Sequence, residues 1–151
     1  MSTVVPSMLG RTNGEILAWD SYVLSSPMAT GYHQSGWRRV IEESFGHRTC
    51  YLTVQGHDGA LQGTLPLVLL ASRGFGRFLV SLPFVNYGGL IFSSSEAQRV
   101  LEQRAVELAR ELHADHIELR HQALMDTAWV STERKVSMKL SLPSSYEELV
   151  K

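Results

Sequence analysis

The period of the hydrophobic pattern changes at Arg48, and that change limits what this chain can become. Before it, apolar residues recur every three or four positions; after it they alternate or run on in short blocks. "RTCYLTVQ" reads as a strand, "HDG" (His57 to Gly59) as a tight hairpin turn with Asp-Gly supplying positive φ, and "LQGTLPLVLLA" as the returning strand. Pro66 within that strand predicts an irregularity or an edge position, because proline cannot donate to a ladder. "SRGFGR" reads as a second turn, and "FLVSLPF" and "YGGLIF" as two strands or one bent strand.

The helical pattern lies on either side. "EILAWDSYVLSS" places Ile16, Leu17, Trp19, Tyr22, Val23 and Leu24 at mixed three- and four-residue spacing, a helix to about Leu24. "SSPMATGYH" is a loop. "QSGWRRVIEESFGH" sets Trp37, Val40, Ile41, Ser44 and Phe45 on one face and Arg38, Arg39, Glu42 and Glu43 on the other, with Gly46 as its C-terminal stop. "SSSEAQRVLEQRAVELARELH" is a long amphipathic helix whose expected capping box is Ser95 to Gln98. "DHIELR" is a short strand, and "KVSMKLSLP" alternates as one. "PSSYEELVK" opens like a helix that stops after about six residues, too short to stand alone, which predicts a natural chain that continues.

The order α-α-β-β-β-(β)-α-β-β predicts an α/β (α+β) sandwich: a mixed, largely antiparallel sheet flanked by helices. Residues 1–14 are expected to be a flexible lead-in, and residues 15–151 one truncated domain. A chain of 151 residues is long enough to bury roughly two thirds of its unfolded surface.

Composition narrows function mainly by exclusion. The 14 basic and 15 acidic residues leave a formal net charge of -1, which argues against a surface built to neutralise many phosphates. One cysteine, Cys50, rules out an internal disulfide and a multi-cysteine zinc site, and reads as a small buried thiol in a strand. No signal peptide and no window of about 18 apolar residues is present, so no membrane span is expected and the cytoplasm is the default compartment. "HADHIELRH" gathers His113, Asp115, His116, Glu118 and His121, but no second cluster completes a metal site, and none is expected. No Gly-x-Ser-x-Gly elbow or cysteine–histidine pair points to nucleophilic catalysis. "SRGFGRF" has the glycines of a coenzyme A pyrophosphate loop, but Ala71 stands where that loop needs an arginine or glutamine, and a strand follows where a helix should supply N–H groups.

"SLPFVNYGGLIF", Ser81 to Phe92, remains. Pro83 removes a donor and two glycines remove bulk, choices that weaken a strand unless its backbone must bend or approach something closely. The bland alternative is an irregular β-corner.

With these residues in view, the chain resembles the N-terminal part of FemAB-related proteins, in the branch associated with exosortase and PEP-CTERM sorting systems. The resemblance spans about residues 15–151 and is carried by Gln34 and Trp37, the Leu65–Leu67 strand, the Ser81–Gly89 run and Glu118–Arg120. It implies the first of two GNAT-like subdomains of an acyl- or aminoacyltransferase acting in cell-envelope or exopolysaccharide-linked processes. The site residues it implies are a groove wall of Asn86, Tyr87, Gly88 and Gly89, with Trp37, Arg38 and Arg39 nearby. Arg73 and Arg77 are further candidates for an anionic substrate, and Ile41 stands where some members carry a substrate-binding lysine. No catalytic residue is assigned. The resemblance further implies no cofactor in this chain, with an acyl or aminoacyl donor in the full-length protein. The partners it implies are a C-terminal GNAT-like half, a small-molecule or envelope-precursor substrate, and tRNA in the full-length protein alone. A homodimer through the unpaired edge of the final strand is a further expectation. The chain is not expected to be active alone. The competing reading is a noncatalytic GNAT-like binding or assembly module, and a third is an ordinary acetyl-coenzyme A N-acetyltransferase.

Overall fold

The computed structural model describes residues 4–133, 138, 141 and 143–149. Its elements run β1 (Val5–Met8), α1 (Asn13–Ser25), a 3-10 turn (Gly31–His33), α2 (Gly36–Phe45), β2 (Arg48–Gln55), β3 (Leu61–Ser72), β4 (Gly76–Ser81), β5 (Ile91–Phe92), α3 (Ser95–Glu111), β6 (His116–Glu118) and α4 (Tyr146–Leu149). The six strands form one sheet in the order β1-β2-β3-β4-β6, with β5 pairing β3. All pairings are antiparallel except β4 with β6, which run parallel and are joined through α3. The expected class, a mixed and mostly antiparallel sheet flanked by helices, is the observed one.

Strand alternation sorts the core into two layers. Cys50, Leu52 and Val54 of β2 and Leu65, Leu67 and Leu69 of β3 face Leu101, Ala105 and Leu108 of α3. Tyr51 and Val68 face the other way, onto Trp19 and Val23 of α1 and Ile41 of α2. Cys50 is buried and free, as a strand thiol should be.

Several local expectations need correction. The lead-in is not loose: Val5–Met8 is an edge strand on β2, with Pro6 opposite Val54. The sequence conceals it because all four residues are exposed and show no alternation, while proline is tolerated where one edge faces solvent. The first helix starts earlier than expected, because Thr12 and Glu15 form a reciprocal capping box. On α3 the cap is Ser94, which accepts from the Ala97 N–H, so no box forms between Ser95 and Gln98. The Gln98 amide instead donates to Glu102 and to the Asp126 carbonyl.

Other signals hold. Gly46 ends α2 at φ 67°, with its N–H and that of His47 reaching back to Glu42 and Ile41. Gly59, at φ 76°, closes the β2–β3 hairpin. Most of the expected strand Lys135 to Pro143 falls outside the described residues, and with it the edge expected to support a homodimer.

Pro66 is neither at an edge nor at a bulge. It pairs with Tyr51 on one side, and on the other it marks where the neighbour of β3 changes. Leu67–Ser72 pair with β4, whereas Gly63 and Thr64 pair with β5. Leu65 and Pro66 thus sit at a fork, where the missing proline N–H leaves no donor unanswered. Residues 82–90 span the fork between β4 and β5, so the expected bent strand is an irregular loop entered and left by strand.

Candidate functional site

Two non-glycine residues in the 82–90 loop adopt left-handed backbone, Leu82 at φ 45° and Phe84 at φ 72°. Such conformations cost of order 1–3 kcal/mol each and persist only where the surroundings hold them. Leu82 is fully buried among Trp19, Tyr51 and Ile91. Phe84 stays exposed but stacks on Phe45 at 4.3 Å between ring centroids. Gly88 lies over Leu82, where a Cβ would meet the leucine side chain at 2.6 Å.

Arg120, just beyond β6, ties this loop to the sheet. Its N–H donates to Ser81 Oγ at 2.8 Å, and its carbonyl accepts from the Gly88 N–H at 3.2 Å. Its guanidinium donates to the Val85 carbonyl and to Glu118, the latter at 2.7 Å. The Glu-Leu-Arg run is therefore the clasp that closes the loop against the end of β4.

A second tie comes from the 3-10 turn. The Thr30 N–H donates to His33 Nδ1 at 3.0 Å, which leaves the proton on Nε2 for the Gly89 carbonyl at 3.1 Å. His33 is buried, and Trp19 Nε1 donates to its carbonyl at 2.7 Å. Burial lowers the His33 pKa despite these bonds, so its ring is neutral at pH 7.

Between these ties opens a cleft of about 190 Å³, lined by Met28, His33, Tyr87, Gly89, Arg120 and His121 among others. It lies past the carboxyl ends of the parallel pair β4 and β6, the place where open α/β sheets bind ligands. His121 is half-buried in its wall. Burial lowers its pKa, the Glu102 charge opposes that shift and nearby His33 adds to it. The Nδ1–Cε1 edge of His121 packs on Gly89, where a Cβ would lie 2.4 Å from Nδ1 and 2.9 Å from the Arg120 carbonyl oxygen.

The structure divides the residues expected from the sequence. Tyr87 and Gly89 line the cleft, Gly88 is buried beside it and Asn86 is exposed. The close approach of the two glycines is to Leu82, Arg120 and His121. Trp37 packs edge-on against Tyr32, and its indole donates to the Gly31 carbonyl. Arg38 donates to the Leu9 and Gly10 carbonyls and pairs with Glu42, holding the end of β1 to α2. Arg39 is exposed beside Glu43. Arg73 lies in the β3–β4 turn, and Arg77 near the start of β4 donates to the Leu112 carbonyl, at the end of β4 opposite the cleft. The histidine-rich run also disperses: His116 stacks on Phe78, Asp115 accepts from the Arg77 N–H, and only His121 reaches the cleft.

His33 and His121 carried no recognisable motif. His121 could have been found from position, since it follows a strand reached by a long helix crossover. His33 had no such signal.

No family model matches the sequence, and no curated protein matches it. Solved structures do match in fold. A GNAT family acetyltransferase from Staphylococcus aureus subsp. aureus USA300_TCH1516 superposes with TM-score 0.54 at 13% identity, covering 93% of this chain and all of that one. A putative acetyl transferase from Pyrococcus furiosus gives 0.53 at 13% identity over 93% of this chain and all of its own. A Trypanosoma brucei acetyltransferase gives 0.58 at 10% identity, over 91% of this chain and all of its own. The fold is therefore GNAT-like. Among the described residues, no helix is long and apolar enough to cross a membrane, and no group of three or more His, Cys, Asp or Glu could hold a metal ion.

Proposed function

We propose that this chain is the N-terminal half of a GNAT-like acyl- or aminoacyltransferase of the FemAB type, acting on a cell-envelope or exopolysaccharide-linked acceptor. The observation that carries the reading is the cleft at the carboxyl ends of β4 and β6, within a fold that acetyltransferases share. Its volume of about 190 Å³ is below the ~300–1,000 Å³ of sites that enclose a whole small molecule. It suits one end of a substrate, such as an amine, and a second GNAT-like half would supply the opposite wall.

The reaction would join an amine to an activated acyl carbon. Such a transfer depends mostly on holding the two groups together and on donors aimed at the developing oxyanion. Tyr87 borders the cleft and would orient the substrate, while Arg120 and His33 fix the Gly88 and Gly89 wall.

The donor would be an aminoacyl or acyl ester rather than coenzyme A. The β3–β4 turn leads into β4 and not into a helix. At the start of α3, Ser94 already engages the Ala97 N–H, and Glu96 places negative charge in the first turn, where a pyrophosphate would be repelled.

Calorimetric titration of the full-length protein, with both GNAT-like halves, against acetyl-coenzyme A and a nonhydrolysable aminoacyl-ester analogue tests this reading. The analogue should bind, with amide shifts at Gly88, Gly89 and Arg120, and coenzyme A should not. Micromolar coenzyme A binding would overturn the donor argument. Failure of both would favour the noncatalytic module.

A further inference from the structure

The two histidines of the cleft are engaged differently. His33 has both ring nitrogens engaged, Nδ1 with Thr30 and Nε2 with Gly89. The Arg120 guanidinium is taken by Glu118 and Val85. His121 lines the cleft with its Nδ1–Cε1 edge against Gly89, and among the described residues no hydrogen bond holds its Nε2, which is left able to accept a proton from an occupant.

We propose that the cleft is an amine-acceptor subsite and that His121 is its proton acceptor. This rests on the transferase reading above. In the step, the amine lone pair forms a bond to the donor's carbonyl carbon, and the carbonyl π pair moves onto oxygen. The nitrogen's proton passes to His121 Nε2. Collapse of the oxyanion then breaks the bond to the leaving oxygen, which departs with its electron pair and takes the proton from His121.

Three features fit the ring to that task. It is half-buried in the wall of a cleft and so is reached from that cleft. Its plane is set by contact with Gly89, a position where a side chain would displace it. The titratable and charged groups around it oppose one another: Glu102 from α3 favours the imidazolium, protonation of His33 in the 3-10 turn would oppose it, and Arg120 and Glu118 on its own segment pair with each other. Tyr87 completes the surroundings from the loop. Burial outweighs the rest and keeps the ring neutral, able to take a proton, at pH 7.

Two readouts test the proposal, and their failures differ from failure of the transferase reading. The first needs no turnover. Imidazole ¹H–¹⁵N spectra should show the His121 ring signals moving when n-butylamine is added at pH 8, while those of His57, in the exposed hairpin turn, stay in place. A static His121 ring would overturn the amine subsite whatever the donor. The second is kinetic, in the full-length protein that carries both GNAT-like halves, with an aminoacyl-ester donor. His121→Gln should lower kcat/KM at pH 7 by about 10²- to 10³-fold, as expected for loss of a general base. His121→Ala should regain rate when imidazole is added to the buffer. Unchanged kcat/KM in both variants, each shown to be folded, would remove His121 as the base. A ring that responds to amine in a protein that uses no acyl donor would support the subsite and refute the transferase reading.

Discussion

Tyr51→Phe should stabilise this protein, the reverse of what loss of a buried tyrosine hydroxyl usually does. Tyr51 is 1% exposed, stacked on Trp19 at 5.0 Å between centroids, with the Arg38 guanidinium carbon 5.8 Å from its ring centre. Its hydroxyl is buried with no hydrogen-bond partner among the described residues. Burial, the largest influence, pushes the phenol pKa well up, so the group stays neutral and its removal deletes no charge. An unpaired buried hydroxyl forfeits about 1–3 kcal/mol of hydration. Removing one oxygen also removes a handful of dispersion contacts worth about 0.1–0.2 kcal/mol each, together somewhat under 1 kcal/mol. The balance is a gain of about 1 kcal/mol, or a rise of about 2–4 °C in Tm for a chain of this size. Urea denaturation followed by tryptophan fluorescence should show a higher midpoint at unchanged m. The aromatic stack and the guanidinium contact survive in the variant, so neither obscures the result. A loss of 1 kcal/mol or more would mean that the hydroxyl has a partner, and the reasoning from its isolation would be refuted.

Trp19→Phe, in the same stack, should act oppositely: it strips the indole N–H from the buried His33 carbonyl and leaves a void, for a loss of about 2–4 kcal/mol in the same urea assay. Arg38→Ala should cost about 2–3 kcal/mol by freeing the Leu9 and Gly10 carbonyls, and hydrogen exchange should show β1 amides losing protection before those of β2. Gly89→Ala should destabilise the 82–90 loop, because the Arg120 carbonyl 2.9 Å from the new Cβ is backbone and cannot swing aside; broadened or shifted amide signals confined to residues 82–90 and 119–123 would report it. For pH, both cleft histidines have folded pKa values lowered from the ordinary 6.5, so the unfolded chain binds more protons just below that value. Their contribution is complete above about pH 6.5 and is lost as pH falls through the folded values; His33→Gln should flatten the fall in stability that begins below about pH 6.5.

What the sequence disclosed depended on whether a feature repeats. The two faces of β2, with Cys50, Leu52 and Val54 opposed to Tyr51, were written in simple alternation, and the Gly46 stop in one residue type at one place. β1 was invisible because an edge strand exposed at every position has no period to read. The cleft was half legible. A proline and two glycines announced that the backbone departs from strand at Ser81 to Phe92, and Tyr87 and Gly89 do line the cleft. The composition of the segment could not say what the glycines approach, because Arg120 and His121 arrive from a strand more than thirty residues later. His33 was hidden for the same reason: it reaches Gly89 only through tertiary folding.

Pro66, the loop and the cleft form one causal sequence. β3 is 12 residues long, whereas β4 pairs with it only from Leu67 onward, and a proline stands where that pairing ends. The chain leaving β4 cannot continue along β3, since Pro66 offers no donor there. It turns away through Leu82 and Phe84, at a backbone cost of order 1–3 kcal/mol each, and rejoins β3 at Thr64 and Gly63. Packing alone does not require such a detour: a plain strand could bury Leu82 without a positive φ. The detour does carry Gly88 and Gly89 to the end of β6, where Arg120 and His33 fix them and His121 comes to face the resulting space. Backbone strain held in place by a buried leucine, a guanidinium clasp and a buried histidine is the pattern of a segment retained for its shape. It is this consistency among the fork, the ties and the position of the cleft, more than any single residue, that favours a binding site over an irregular β-corner.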